Sequence, residues 1–246
     1  MVISIENTVG ELVAAGIHRA RVFETYGIDY CCGGRATLSD ACKKAGCTPE
    51  EVVTALGVAD EDAVEAGSET TDWRTASLTA LTSHIVDSHH AFMKRELPRV
   101  ADLLVKVRNA HEGHHPELAE LAQVYGALRA EIEGHLGKEE QVLFPLIQEM
   151  EATRQAGTAH CGSVGNPIRV MEHEHDNAGI ALGRIRKLTN DYTVPADGCA
   201  TFAALLDGLA AIERDLHEHI HKENNILHPR AARLEADLLA AARGKA

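Results

Sequence analysis

A segment of eleven residues, with a glutamate four residues after a histidine, occurs twice in this chain. HLGKEEQVLFP at residues 135–145 aligns without gaps with HIHKENNILHP at residues 219–229. The spacing from His to Glu places both side chains on one face of an α-helix. Two further histidines, His90 and His175, are separated by nearly the same interval as the two segments. The repeat therefore predicts a duplicated unit of two helices, one with a lone His and one with His-x-x-x-Glu.

Four long stretches with helical periodicity contain this repeat. They cover residues 77–108, 117–149, 167–189 and 198–228, and Gly, Pro or Asn residues lie between them. Ala, Leu and Glu are abundant whereas aromatic residues make up 4% of the chain, which favours helices over strands. We expect an all-α protein in which these stretches form an antiparallel four-helix bundle.

The region before the bundle divides into two parts. Residues 1–57 predict a small helical domain with a Cys-Cys-Gly-Gly turn and a helix start at Thr48, which is followed by Pro and two acidic residues. Residues 58–76 are acidic, small and aperiodic, so we expect a linker there. The bundle domain then occupies residues 77–246.

The net charge excludes several classes of partner. Lys and Arg total 24 against 37 Asp and Glu, a formal charge of −13, so nucleic acid and anionic membranes would be repelled. The sequence shows neither the pattern of a secretory signal nor a run of about 18 apolar residues. We therefore expect a soluble, cytoplasmic protein whose six cysteines are reduced thiols rather than a disulfide framework.

Apolar residues spaced three and four apart define one inward-facing seam on each bundle helix. Six residues of metal-ligand type lie on these seams: His90, His135, Glu139, His175, His219 and Glu223. The seam of the second helix continues to Val142. In the first helix the seam selects His90 over His89. His217 and His221 fall off the fourth seam, so we expect them to face solvent.

Imidazoles and carboxylates in a bundle core are costly unless a partner offsets their lost hydration. Four His and two Glu form a donor set for two metal ions, and the two carboxylates can bridge them. Mixed nitrogen and oxygen ligation favours iron or manganese, and ligand type alone does not exclude zinc. The alternative is two buried His–Glu hydrogen-bonded pairs, which the duplication makes the weaker interpretation. Glu131 and Glu174 are either outer groups of the site or solvated acids.

A further histidine cluster imitates a zinc-protease motif. His111-Glu112-Gly113-His114-His115 matches H-E-x-x-H, a pattern that requires a helix to bring both histidines beside the glutamate. Gly113 lies inside the motif, and Pro116 pushes the preceding residue towards an extended conformation. We expect a polar loop between helices here.

Taken together, these motifs resemble a known family. Gly-Ile-Asp-Tyr-Cys-Cys-Gly-Gly at residues 27–34, the two His-x-x-x-Glu segments and Met-Glu-x-Glu-His-Asp-x-Ala-Gly at residues 171–179 are similar to the repair-of-iron-centres proteins of the ScdA/YtfE type. The resemblance implies a short cysteine-bearing domain joined to a hemerythrin-like bundle that holds a non-haem di-iron centre. It implies the same six ligands as the seams, with Glu139 and Glu223 as bridges.

The resemblance also implies a function. The expected activity is repair of iron–sulfur clusters damaged by nitric oxide or peroxide, with two oxo-bridged iron ions per chain as the iron source, rather than manganese or zinc. The expected partners are damaged or apo iron–sulfur proteins, with nitric oxide or oxygen as small ligands. The alternatives are an enzyme that reduces nitric oxide to nitrous oxide, and a hemerythrin-like carrier or sensor of oxygen or nitric oxide. The oligomeric state, including a dimer, stays open.

The adjacent thiols Cys31 and Cys32 form the second candidate site. A disulfide between neighbours would be strained, so these thiols are better interpreted as redox-active or metal-transferring. The alternatives are a purely structural turn, or an iron–sulfur cluster shared with Cys42 and Cys47, whose spacing matches no common ligand pattern. No role is assigned to Cys42, Cys47, Cys161, Cys199 or His228.

Overall fold

The computed structural model describes residues 3–65, 71–156 and 162–243, and these residues form helices joined by turns. The all-α prediction is confirmed. Within the described ranges, the extended backbone pairing consists of an isolated bridge between Thr8 and Thr37. None of the helices in this part of the chain is long and apolar enough to cross a membrane. Cys161 lies outside the described residues.

The helices follow one another in the order that the periodicity predicts. The N-terminal region contains α1 Val9–Ala15, a 3-10 turn Ile17–Arg19, α2 Ala20–Thr25, α3 Leu38–Ala45 and α4 Pro49–Glu65. The later helices are α5 Leu78–Ile85, α6 Ala91–His111, α7 Glu117–Lys138, α8 Phe144–Thr153, α9 Gly165–Leu188, α10 Ala200–Lys222 and α11 His228–Arg243. Among the described residues, three π-helical turns join consecutive helices: π1 Val86–His90, π2 Glu139–Leu143 and π3 Glu223–Leu227.

By its internal contacts the chain divides into two compact units. The first comprises Met1–Thr82, Ile147–Val164 and His217–Ala246, and the second comprises Ser83–Leu146 and Gly165–Leu216. The N-terminal helices therefore belong to the same unit as π3 and α11. The second unit contains α6, α7, α9 and most of α10.

Side-chain bonds join the four helices of the second unit in a ring. The bonds pair Tyr125 with Leu97, Arg184 with Glu120, Arg186 with Glu213, and His89 with Asp215. Along α6 and α7 the partners run in opposite directions, since His90 pairs with Glu140 and Leu97 pairs with Tyr125. These two neighbours are therefore antiparallel, as the bundle prediction requires.

The predicted seams form the core of this bundle, with one exception. The buried apolar positions include Met93, Leu97, Val100, Leu121, Leu128, Ile132, Met171, Leu182, Leu205, Leu209 and Ile212. Val142 was predicted on the second seam, but its side chain is 49% exposed. The cause is π2, which holds one residue more than an α-helical turn and rotates the following side chains by about 100°. Leu143 takes the inward position instead.

The first unit begins with capped helices. The side chain of Thr8 accepts a hydrogen bond from the Glu11 amide while the Glu11 carboxylate accepts one from the Thr8 amide, a capping box. Thr48 and Glu51 contact each other in the same way at the start of α4. That helix continues to Glu65, into the segment predicted as a linker, since the sequence holds no Gly or Pro between Gly57 and residue 67. Residues 66–70 of the predicted linker lie outside the described residues.

Candidate metal centre

In the second unit, the carboxylate of Glu139 lies between two imidazoles. Nε2 of His90 is 3.3 Å from Oε2 of Glu139, and Nε2 of His135 is 3.3 Å from Oε1. His175 adds a third imidazole, whose Nε2 is 3.1 Å from Nε2 of His135. Ligand atoms of His135, Glu139 and His175 all lie within 4.8 Å of one another. Side chains from three different helical segments therefore bring their donor atoms close together.

This cluster is almost inaccessible to solvent. His90 and Glu139 are fully buried, and His175 and His135 are 3% and 7% exposed. A carboxylate at such depth requires a balancing positive charge, because it has lost its hydration. The 3.1 Å between the two Nε2 atoms suits two nitrogen ligands of one ion at about 2.1 Å each. The cluster is therefore suited to hold a cation.

Two carboxylates orient the imidazoles from outside the cluster. Oε1 of Glu140 is 2.7 Å from Nδ1 of His90, and Oε2 of Glu174 is 2.8 Å from Nδ1 of His135. An ionised carboxylate accepts the Nδ1 proton, so the lone pair of each ring is on Nε2, the atom directed towards Glu139. This is the tautomer that binds a metal.

Lysines keep these outer carboxylates ionised. Nζ of Lys94 is 2.6 Å from Oε1 of Glu140, and Lys138 is paired with Glu174. Burial raises the pKa of each carboxyl, but the bonds from lysine and histidine outweigh it and hold the pKa of both groups below its usual value. Glu174 is thus an outer group of the site. Glu131, the other candidate, is exposed.

The first unit contains the repeated counterpart of this arrangement. Nε2 of His219 is 3.2 Å from Oε1 of Glu223, and both residues are buried, at 1% and 0% exposure. Here the spacing of four residues in the sequence brings the two donors together on one helical face, as it does for His135 and Glu139.

Each π turn coincides with a candidate ligand. His90 is the last residue of π1, Glu139 is the first of π2 and Glu223 is the first of π3. The turns π2 and π3 occupy equivalent places in the sequence repeat. Such turns inside α-helices are frequent at functional sites, because they change the direction of side chains without ending the helix.

Comparison with known proteins agrees with this site. Residues 81–231 match the model of the hemerythrin HHE cation-binding domain, and residues 5–60 match a domain of unknown function that carries the name ScdA N-terminal. The iron–sulfur cluster repair protein YtfE of Musicola paradisiaca is 37% identical over 231 residues, 94% of this chain and 98% of the relative. The YtfE proteins of Edwardsiella ictaluri and Escherichia coli O157:H7 are 36% and 34% identical, each over 92% of this chain and 96% of the relative.

The chain belongs to the family of the iron–sulfur cluster repair proteins YtfE. The resemblance read from the sequence motifs is thereby confirmed over almost the whole chain. The match to a cation-binding domain over residues 81–231 includes all six residues that the seams predict as ligands.

The prediction that His217 and His221 face solvent is corrected by the structure. His221 was predicted to face solvent, but it is 1% exposed, because it packs against the ring of Tyr30 and contacts the Tyr30 carbonyl at 3.3 Å. This burial lowers the pKa of His221 to about 4. His89 is also buried, where Nδ1 lies 3.0 Å from Asp215. His217 is half-buried beside Tyr30.

The Cys-Cys-Gly-Gly turn packs against π3. The side-chain amide of Asn225 donates hydrogen bonds to the carbonyls of Tyr30 and Cys31, at 3.3 and 3.0 Å. Gly34 allows this approach, because a Cβ at that position would lie 2.3 Å from Oδ1 of Asn225. The turn is therefore held by Asn225, which lies two positions after the proposed ligand Glu223.

The two thiols differ in their surroundings. Cys31 is 6% exposed and Cys32 is half-buried. The neighbouring Cys32 thiol, burial and the Asp29 carboxylate raise the pKa of Cys31 well above its usual value. Cys31 is therefore a protonated thiol at neutral pH.

The segment at residues 111–115 that matches the zinc-protease motif does not lie within one helix. Helix α6 ends at His111 and α7 begins at Glu117, so the residues between them form the predicted loop. His228, to which no role was assigned, is buried at the start of α11.

Proposed function

We propose that this chain repairs iron–sulfur clusters damaged by nitrosative or oxidative stress, by donating iron from a di-iron centre. The observation that carries the proposal is the buried Glu139 carboxylate between imidazoles whose Nδ1 atoms are held by acids. The names of the relatives support it, since they are iron–sulfur cluster repair proteins.

In this proposal six residues hold two iron ions. They are His90, His135, Glu139, His175, His219 and Glu223, with Glu139 and Glu223 shared between the ions. The sequence repeat supports the assignment, because His219 and Glu223 have the same spacing, π turn and burial as His135 and Glu139. Imidazole nitrogens combined with carboxylate oxygens are donors that suit iron, and manganese is the nearest competitor.

The protein residues then govern loading and release. Bound iron would supply the transferable metal, and neutral imidazoles must face it through Nε2. Glu140 and Glu174 favour that state by accepting the Nδ1 protons of His90 and His135. Glu140 and Glu174 also pair with the exposed side chains of Lys94 and Lys138. The orientation of the imidazoles therefore depends on groups that solvent can reach.

We assign Cys31 and Cys32 to the transfer of iron or electrons to a client. Their turn packs on π3, which begins at the proposed ligand Glu223. Damaged or apo iron–sulfur proteins are the proposed partners, with nitric oxide or oxygen as small ligands of the centre. The free thiols among the described residues support a reducing compartment such as the cytoplasm.

The decisive experiment offers the iron-loaded full chain to an apo iron–sulfur protein under anaerobic conditions. Recovery of the visible absorption of the client cluster is expected for the natural chain and not for Glu139→Ala. His173→Ala is the matched control, since His173 is exposed. In a parallel arm the loaded chain receives nitric oxide. Catalytic formation of nitrous oxide without cluster recovery would overturn the proposal in favour of nitric oxide reduction.

A further inference from the structure

Cys199 and His111 form a pair of titratable side chains in the second unit, well away from the candidate metal ligands. Sγ of Cys199 is 3.3 Å from Nε2 of His111, and Cys199 is exposed. His111 is the last residue of α6, whereas His90 directly precedes that helix. At 1.5 Å per residue the two histidines are about 30 Å apart along the helix, so the pair and the metal cluster are separate sites.

The acids closest to this pair contact His115 rather than His111, whose Nε2 contacts the thiol. The neighbouring His115 binds the nearby acids, with Nδ1 at 2.7 Å from Glu117 and Nε2 at 3.1 Å from Asp197. The ring of Phe202 packs against both histidines, with centroid distances of 5.4 Å to His111 and 5.3 Å to His115. The position of the His111 ring is therefore defined by packing as well as by its contact with sulfur.

The second feature is the backbone at the start of α10. Cys199 directly precedes this helix of 23 residues, so its thiol lies beside the first backbone amides of α10, including those of Thr201 and Phe202. The His111 imidazole, followed by these amides, lowers the pKa of Cys199 to about 7. Exposed thiols with a cationic neighbour at a helix start are the ones that react as thiolates.

The geometry points to Cys199 as an oxidant-reactive thiol whose substrate is hydrogen peroxide, with His111 as its acid. The thiolate sulfur attacks one peroxide oxygen, so an S–O bond forms and the O–O bond breaks. Sulfur is oxidised by two electrons and peroxide is reduced by two. The leaving hydroxide takes the proton of the His111 imidazolium and departs as water, which leaves cysteine sulfenic acid and neutral imidazole.

This site does not depend on the proposed repair function. Among the cysteines that the structure describes, Cys199 is exposed whereas Cys32 and Cys47 are half-buried; Cys31 and Cys42 are buried, and burial raises the pKa of Cys42 to about 11. The charged or titratable group that contacts the Cys199 thiol is His111, and His111 in turn lies beside His115, which binds Asp197. We therefore expect Cys199 to be modified first.

The test combines an alkylation arm with an oxidation arm on the intact, iron-loaded chain. Iodoacetamide alkylation of each cysteine is followed by mass spectrometry from pH 5.5 to 9.5. The Cys199 rate should rise with a midpoint near pH 7, and His111→Gln should lower that rate at pH 7 by about tenfold, because the thiol then titrates near 8.5. His114→Gln, an exposed residue of the same loop, is the matched control.

The oxidation arm uses substoichiometric hydrogen peroxide and dimedone, which captures sulfenic acid. The label should appear mainly on Cys199 and disappear in Cys199→Ser, while iron content and cluster repair stay at the natural level. Labelling of Cys47 as fast as Cys199, or a His111→Gln rate equal to the natural one, would overturn the inference. Since alkylation involves neither iron nor oxidant, its outcome is distinguishable from a failure of the repair proposal.

Discussion

The side-chain amide of Asn225 donates a hydrogen bond of 3.0 Å to the backbone carbonyl of Cys31. The two residues are 194 positions apart in the sequence, and the contact joins the cysteine turn to the π turn that starts at Glu223. The conformation of the turn can therefore be perturbed through this contact without replacing either cysteine.

Replacing Gly34 by Ala should loosen this contact. The new Cβ would lie 2.3 Å from Oδ1 of Asn225 and 2.7 Å from the Tyr30 carbonyl, so the turn or the amide must move. We expect a loss of about 1–3 kcal/mol in unfolding free energy, measured by urea denaturation, together with faster proteolysis of the N-terminal helices. Gly57→Ala is the control, since no atom lies within 4 Å of its added Cβ, and equal destabilisation by both changes would contradict the argument.

Replacing either proposed bridging carboxylate by Ala should abolish binding of two iron ions. Glu139 and Glu223 are both fully buried beside an imidazole, so each Ala variant loses one carboxylate donor of the proposed site. Iron per chain, measured by elemental analysis after anaerobic loading, should fall from about two to one or fewer. His173→Ala should keep the natural value. His221→Ala is unsuitable as a control, because His221 is buried.

Replacing Glu174 by Gln should weaken metal binding without removing a ligand. An amide cannot hold the Nδ1 proton of His135 as an ionised carboxylate does, so the ring loses its orientation and part of its basicity. We expect iron affinity to decrease by about 10- to 100-fold, measured by competition with a chelator. Glu131→Gln, an exposed change on α7, should have no effect. Equal affinities for both variants would show that Glu174 is only a surface acid.

Replacing Cys31 and Cys32 together by Ser should separate metal binding from repair. We expect natural iron content and helicity, because neither thiol belongs to the proposed donor set. Transfer of iron to an apo cluster protein should become slower. Full transfer activity in the double variant would leave the Cys-Cys-Gly-Gly turn as a structural element.

The ion pair between Arg19 and Asp60 should make the first unit sensitive to acid. Its hydrogen bonds of 2.7 Å, opposed by partial burial, lower the pKa of Asp60 to about 2. A depressed folded pKa stabilises the fold above the unfolded value near 3.9, and this contribution is lost as the pH falls through about 2. Asp60→Asn should cost about 1 kcal/mol at pH 7, after allowance for exposure, and much less as the pH falls to about 2 and below. Thermal melts at both pH values test this dependence.

The six proposed ligands could be found in the sequence because they follow a helical period within each copy of the repeat. Val142 was misplaced for the same reason, since a constant period cannot register the additional residue of π2. His221 was misplaced because its environment is made by Tyr30, a residue 191 positions away. Long-range packing of this kind leaves no local pattern in the chain. Glu140 was missed although it directly follows Glu139, because an acid on a helix surface is common.

The turn π3 contains residues that are close in sequence but have different surroundings. His219 and Glu223 are buried, whereas the side chain of Asn225, two residues after Glu223, contacts the cysteine turn. Two residues cover about half a turn of a helix, so the side chains of Glu223 and Asn225 point in nearly opposite directions, whereas a loop here would expose backbone groups beside a buried carboxylate. The buried donor Glu223 and the residue that holds the cysteine turn therefore belong to the same π turn, so a change in the length of π3 would displace both.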